Sequence, residues 1–597
     1  MIIKMDKILR LTSGLLLMIV VLYSCATIKT EITTTELQNH IKYLASDSLK
    51  GRLTGTPGDS LAAEYIKSKF TEYGLVPLSG DGLQRFKVTD KLLAGKENSL
   101  SIDGKKFTAD QDFTPVSFSE NGSAKAEVVF AGYGFSINND SLKWDDYKGI
   151  DVKNKWVMIL RSDPEPDNQN SKYSSFSSDR NKAMVAKDLG AAGVLLVSGQ
   201  SFDNSDTFDL LTKGGFSVGI PVLRIKRSVA DVLLLRTKQN INNLEKKINT
   251  YKKPVSFTTG TVAEGRSEII NYLTNTRNVA MLLPGEDEML KNEYMIFGAH
   301  FDHLGLGGSG TGSRATDTIA VHHGADDNAS GTALLIELAG KFAGTKNSHK
   351  RSLVFVAFTG EEEGMFGSKY FLENPVIDIS KINIMVNFDM VGRLKETKDL
   401  QISGVGTADS LKERAVAVVD TSNLRLSFTD EGSGSSDHSA FYSRDIPVLF
   451  FTTGAHYDYH RPSDTWDKIN YNGIVNIGNL AFRMTSGLAN EPSRLKFKEA
   501  GPKEDPNRPP RRRGLTLGIV PDVTGSIKNG LKVEAVTQGR PAAIGGMKKG
   551  DIIISVEGKP VNNIEDYMFR MSQVKRGQKI TVEVLRNGTK EVLIIQL

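Results

Sequence analysis

Four short apolar runs, Tyr294–Gly298, Leu353–Phe358, Ile382–Phe388 and Ile446–Phe451, constrain this chain more than any other feature. Each has strand length and is bounded by polar or turn residues. Between the first two lies Ala329–Phe342, whose apolar residues recur at helical spacing, with Asp327 or Asn328 placed to cap it. Alternation of this kind from 262 to 497 predicts an α/β fold, a mixed and mostly parallel sheet flanked by helices. In open sheets of this class ligands bind just beyond the carboxyl ends of the strands. His300 follows the first run, Glu361 and Glu362 the second, Asp389 the third, and His460 lies a short loop after the fourth. Eight of the nine histidines fall between 300 and 460. Imidazoles mixed with carboxylates suit borderline divalent cations such as zinc. The pattern implies a metal-dependent hydrolase.

At 597 residues the chain exceeds what one core holds. Residues 37–76 read as two helices around the break Arg52-Leu-Thr-Gly-Thr-Pro-Gly58 and belong, with the rest of 26–110, to the catalytic unit. Residues 111–261 change to short strands and turns and hold no histidine, as a separate non-catalytic module would. Prolines and Arg508, Arg511, Arg512 and Arg513 mark a linker at 498–513, and 514–597 is another small β-rich unit. A net charge of +5 is small for this length and gives no general affinity for nucleic acid. At the N-terminus, Lys4, Lys7 and Arg10 precede the apolar run Leu15–Leu22 and the sequence Leu22-Tyr-Ser-Cys25. Basic, apolar and small-residue segments in that order describe a secretory signal over residues 1–25. Cys25 is the only cysteine, so it makes no internal disulfide, and its setting resembles the lipobox of bacterial lipoproteins. The expectation is a chain in the bacterial cell envelope, tied to the membrane through lipidated Cys25.

His300-Phe-Asp302, Gly324-Ala-Asp-Asp327, Glu361-Glu362, Asn387-Phe-Asp389 and Tyr459-His460-Arg-Pro-Ser-Asp464, with Leu49-Lys-Gly-Arg52 upstream, together resemble the M28 family of co-catalytic zinc peptidases. Residues 111–261 resemble the protease-associated domain inserted in many such enzymes. Leu517-Gly-Ile519, Pro541-Ala-Ala543 and Gly550-Asp551 resemble a PDZ domain. The resemblance implies a zinc exopeptidase fold with two zinc ions. His300, Asp326 and Asp389 would hold one, Asp326, Glu362 and His460 the other, with Asp326 as the bridge. It also implies Glu361 as the general base and Tyr459 as an oxyanion stabiliser. Asp302, two residues after His300, can accept that histidine's other ring N–H.

The function this supports is removal of N-terminal residues from peptides. A carboxypeptidase of the same fold would need a cation for the substrate carboxylate, for which Arg393 and Arg461 lie near enough in sequence. A glutaminyl cyclase uses a related scaffold with one zinc, and five retained ligand positions argue against it. A non-catalytic peptide-binding protein would show a defective site. The PDZ-like unit is expected to take a C-terminal peptide or to act as an internal lid. His303, His322, His323 and His456 match no ligand position and read as loop residues, Glu363 reads as a solvated charge or a helix N-terminal acid, and Asp437 and His438 as groups that order the site or as a structural turn.

Overall fold

The structure, a computed structural model, describes residues 30–501 and 516–597 apart from Asp140, Gln169, Gly214, Ser309, 522–526 and Lys528. The signal segment 1–25 and most of the linker therefore lie outside the described residues. No helix among the described residues is long and apolar enough to cross a membrane.

The catalytic unit is built on a nine-stranded sheet. Its strands are β1 (Val76–Pro77), β2 (Leu83–Ala94), β3 (Ile269–Leu283), β4 (Tyr294–His300), β5 (Ser352–Phe358), β6 (Ile382–Phe388), β7 (Asp399–Ser403), β8 (Arg425–Thr429) and β9 (Val448–Thr452). They lie in the order β1-β3-β5-β4-β6-β9-β7-β8, with β2 also on β3. The central four, β5-β4-β6-β9, are parallel, and β3 and β7 join them antiparallel on either side. Every residue of β5 and β6 is buried, as strands covered on both faces require. The register sets His300 against Phe358 and Gly298 against Asn387, so these strands end along one edge.

Helices α1 (Thr34–Leu44), α2 (Pro57–Glu72), α3 (Gly331–Gly344) and α4 (Tyr471–Asn490) form the layer on one face of this sheet, and helices Phe366–Glu373 and His438–Tyr442 pack on the other. Pro57 at its first position fits α2, since the first helical N–H has no intrahelical partner. Buried residues run without a break from Gly331 to Phe342, because α3 lies within the main apolar core. The carboxamide oxygen of Asn328 accepts from Gly331 N at 2.9 Å, which caps α3 as the sequence suggests. Its amide group donates to Phe388 O at 3.0 Å and so ties the helix start to the end of β6.

Arg52, fully buried, locks the N-terminal segment to the functional edge. Its guanidinium donates to the carbonyls of Phe301 (2.7 Å), His323 (2.9 Å), Gly324 (3.0 Å) and Leu44. Gly51 before it has φ +70°, and a Cβ there would stand 2.3 Å from Gly305 O, so only glycine permits this approach.

Between β2 and β3 the chain forms a separate eight-stranded sheet with an apolar cluster on each face. Residues 516–597 form a third sheet with helices Pro541–Ile544 and Ile564–Ser572. This last unit is docked on the inserted one. Phe569 packs among Ala183 and Met184, Arg180 meets Glu565 and Asp566 at 2.7 Å each, and Arg570 grips both carboxylate oxygens of Asp188.

Candidate metal centre

The sheet edge gathers His300, Asp327, Glu362, Asp389 and His460. His300 Nε2 lies 3.4 Å from Asp327 Oδ1 and 3.4 Å from Asp389 Oδ1. His460 Nε2 lies 3.1 Å from Asp327 Oδ2 and 3.1 Å from Glu362 Oε2. The two oxygens of Asp327 thus face two different ligand sets. Four donors about 2.0–2.1 Å from a tetrahedral zinc stand roughly 3.3–3.4 Å from one another, so both sets have the spacing of zinc ligands. Asp389 Oδ1 and His460 Nε2 are buried and satisfied by no protein hydrogen bond, as expected of atoms aimed at metal ions, one in each set.

Asp326 is not at this junction, which corrects the assignment drawn from the resemblance. Its carboxylate points inward, accepting from Gly392 N (2.6 Å), Ser330 Oγ (2.9 Å) and His456 Nε2 (3.1 Å). A Cβ on residue 392 would sit 2.7 Å from that carboxylate, so glycine is needed there. The peptide Asp327–Asn328 is cis. Asp464, fully buried, accepts the N–H groups of both Asp326 (2.8 Å) and Asp327 (3.1 Å) on one oxygen and Arg393 on the other (2.8 Å). This carboxylate fixes the turn that presents Asp327, and sequence reasoning gave it no role.

His303 is also more than a loop residue. It is buried, with Nδ1 2.7 Å from Glu362 Oε1 and 4.0 Å from Asp327 Oδ2. The first distance is a hydrogen bond, so His303 holds the oxygen of Glu362 that faces away from His460. His322 and His323 stay structural, bound to Ser313 and to Asp47 with Pro462 O. Glu363 pairs with Lys213 of the inserted unit at 2.8 Å.

Asp302 has two tasks. Its carboxylate is 3.6 Å from His300 Nδ1, which meets the backbone oxygen of Asp302 at 3.2 Å. It also accepts the N–H groups of Glu361 (3.2 Å) and Glu362 (3.4 Å) and the hydroxyl of Thr54 (3.1 Å). The Glu361–Glu362 turn is therefore set by the residue that flanks His300. Neither the Glu361 carboxylate nor the Tyr459 hydroxyl has a hydrogen-bond partner among the described residues, so both are open to water or substrate.

Electrostatics follow from this crowding. Burial pushes the Glu361 carboxyl well above its usual range, with His300 opposing and Glu362, Asp437 and Asp389 adding to the rise. Burial works against the charged form of His460, yet Asp327 and Glu362 outweigh it and raise the imidazole to about 11. His300 is likewise raised against the effect of burial, chiefly by Asp389. Burial alone drops His438 to about 3, so this ring, stacked on Phe450, is neutral. Asp437 is pushed up to about 7, first by burial.

Residues 278–485 match the peptidase family M28. The chain carries an M28 peptidase domain. Residues 516–597 match a PDZ domain, which is the third sheet described above. Aminopeptidase YwaD of Bacillus subtilis is 23% identical over 453 residues, 73% of this chain and 80% of that protein. A probable zinc metalloprotease of Pyrenophora teres f. teres is 33% identical over 131 residues, 22% of this chain and 26% of that protein. Among solved structures, the aminopeptidase from Aneurinibacillus sp. strain AM-1 is similar over 79% of this chain and 95% of its own, with a TM-score of 0.44 and 23% identity. The M28 domain spans β3 to α4 and so contains all five residues gathered at the sheet edge, while β1, β2, α1 and α2 complete the fold from outside the matched segment.

Proposed function

We propose that this protein is a zinc aminopeptidase whose M28 domain binds two zinc ions. One set is His300, Asp327 and Asp389, the other Asp327, Glu362 and His460. The observation that carries the reading is the division of the two Asp327 oxygens between these sets. Three carboxylates offset most of the charge of two zinc ions, which lowers the cost of burying them. Bound zinc would polarise the scissile carbonyl and acidify the attacking water.

The protein groups do the rest. Glu361 takes the proton of the attacking water and gives it to the departing amine, and its raised proton affinity suits that exchange. Asp302 holds both the His300 ring and the Glu361 turn, so base and metal ligand keep one geometry. Tyr459, stacked on His460 at 3.8 Å, offers its free hydroxyl to the developing oxyanion. Arg393, a cation that a carboxypeptidase could use, is engaged by Asp464 and Asp458.

The surrounding assignments belong to the same proposal: a protease-associated domain at 111–261, a C-terminal peptide as PDZ ligand, and a lipid on Cys25 in the cell envelope. Incorporation of a labelled fatty acid that Cys25→Ser leaves unchanged would refute the anchor. The activity is tested with unblocked and N-acetylated peptides, with and without chelator, and products read by mass spectrometry. Chelator-sensitive shortening from free N-termini is expected. Trimming from the C-terminus, or of acetylated peptides, would overturn the reading.

A further inference from the structure

Three arginines meet the 457–464 segment that carries His460, and their charges are not used alike. Arg393 is neutralised by Asp464 and Asp458. Arg314 and Arg461 have no carboxylate partner among the described residues. The Arg461 guanidinium lies 5.0 Å from the exposed ring of Tyr457. The Arg314 guanidinium lies 4.7 Å from the ring of Tyr459, which stacks at 3.8 Å on the His460 imidazole. Arg314 is thus no farther from the His460 ring than those two distances laid end to end.

The backbone holds Arg314 there. Arg314 N donates to His460 O at 2.9 Å, and Gly312 O meets His460 Nδ1 at 3.0 Å, so the loop bearing Arg314 is fastened to His460 from both sides. An exposed arginine normally wanders; this one is anchored to a residue of the metal centre. The surroundings are rich in carboxylates, with Asp302, Asp327, Glu361, Glu362, Asp389 and Asp437 on the same sheet edge. Asp327, Glu362 and Asp389 would be offset by zinc, whereas the charge of Arg314 is offset by no carboxylate among the described residues and is left to receive an anionic substrate group. A guanidinium is the side chain best shaped for a carboxylate, which it binds through two parallel N–H bonds.

We propose that Arg314 is a specificity-determining residue that receives a carboxylate carried by the substrate. One extended residue spans about 3.3–3.6 Å, so the carboxylate belongs to the residues adjoining the scissile bond. It is the C-terminal carboxylate of a dipeptide, or an acidic side chain at the first or second position. The inference rests on the aminopeptidase reading and narrows its substrate class.

The test uses the full-length zinc-loaded protein and five substrates: Ala-Ala, Ala-Ala-amide, Glu-Ala-amide, Ala-Glu-amide and N-acetyl-Ala-Ala. Wild type is expected to prefer at least one carboxylate-bearing substrate over Ala-Ala-amide by roughly tenfold in kcat/KM, the effect of one charge-assisted hydrogen bond. The favoured member identifies the source of the carboxylate. Arg314→Met keeps an apolar contact with Tyr459 and removes the charge. It should raise KM for the favoured substrate about tenfold, leave kcat and Ala-Ala-amide within about twofold, and be rescued in part by Arg314→Lys. An equal loss on charged and amide substrates would make Arg314 a packing residue and overturn the inference. So would equal wild-type rates on all unblocked peptides, or a preference abolished by Arg461→Met and kept in Arg314→Met. Cleavage of N-acetyl-Ala-Ala, or of no unblocked peptide, would instead refute the aminopeptidase reading.

Discussion

Asp464→Asn changes one atom, and its effect can be worked out from the contacts it disturbs. One oxygen of Asp464 accepts the N–H groups of Asp326 and Asp327, at 2.8 and 3.1 Å, and the other accepts Arg393 at 2.8 Å. Asparagine has a single acceptor. If it serves the two N–H groups, its own amide faces the Arg393 guanidinium. If it serves Arg393, two backbone donors lose their acceptor beside the metal centre. Either way at least one hydrogen bond to a charged group is lost, worth about 1.5–3 kcal/mol. Since about 1.4 kcal/mol is a factor of ten, the turn presenting Asp327 should lose roughly 10- to 150-fold in zinc affinity. Outer partners of metal ligands generally contribute about 10–100-fold. Competition with a chromophoric chelator measures this. The control is Asp458→Asn, whose carboxylate is 3.4 Å from Arg393 and already served by Ser463 and Lys468; it should cost less than about threefold. Unchanged zinc affinity in Asp464→Asn would refute the idea that this carboxylate shapes the site.

Glu361→Gln should keep its zinc content, read by atomic absorption, while kcat falls at least about 100-fold, because only proton transfer is removed. Arg52→Ala would strand four carbonyl groups, three of them buried, and should lower the thermal midpoint of the M28 domain by more than about 4 °C in calorimetry. Zinc binding to the metal-free protein should release protons near pH 7, because His300 and His460, both raised above the ordinary histidine value, must give up their protons to coordinate. The sign is fixed: affinity climbs as pH rises, and titration heats should vary with buffer ionisation enthalpy. Buffer-independent heats would contradict it.

The parts of this site that were legible in the sequence share one cause. His300, Glu362 and Asp389 follow strands so completely buried that their apolar runs stand out, and a parallel sheet brings such strand ends together. Arg52 belonged to a recognisable stretch, although its four carbonyl bonds reach back eight residues and on to Gly324. What was not legible depends on backbone path or on long-range pairing. Asp326 and Asp327 are adjacent carboxylates in one turn, and composition does not say which faces the edge; the Asp464 clasp decides it from more than 130 residues away. His303 lies three residues beyond His300 and outside the strand, and only the path of its loop brings it to Glu362. Lys213 on Glu363 joins loops of two units that nothing local in the sequence connects.

Metal content of two single variants addresses the bridging role of Asp327 most directly. Wild type, Asp327→Asn and Asp326→Asn would be purified, loaded with zinc, dialysed and assayed for zinc per chain. Wild type should retain two ions. Asp327→Asn should retain at most one, since asparagine keeps a single oxygen and can serve only one of the two ligand sets. Asp326→Asn, altered only behind the site, should retain more than Asp327→Asn does. Two ions in Asp327→Asn, with zinc lost from Asp326→Asn, would contradict the account and return the bridge to Asp326.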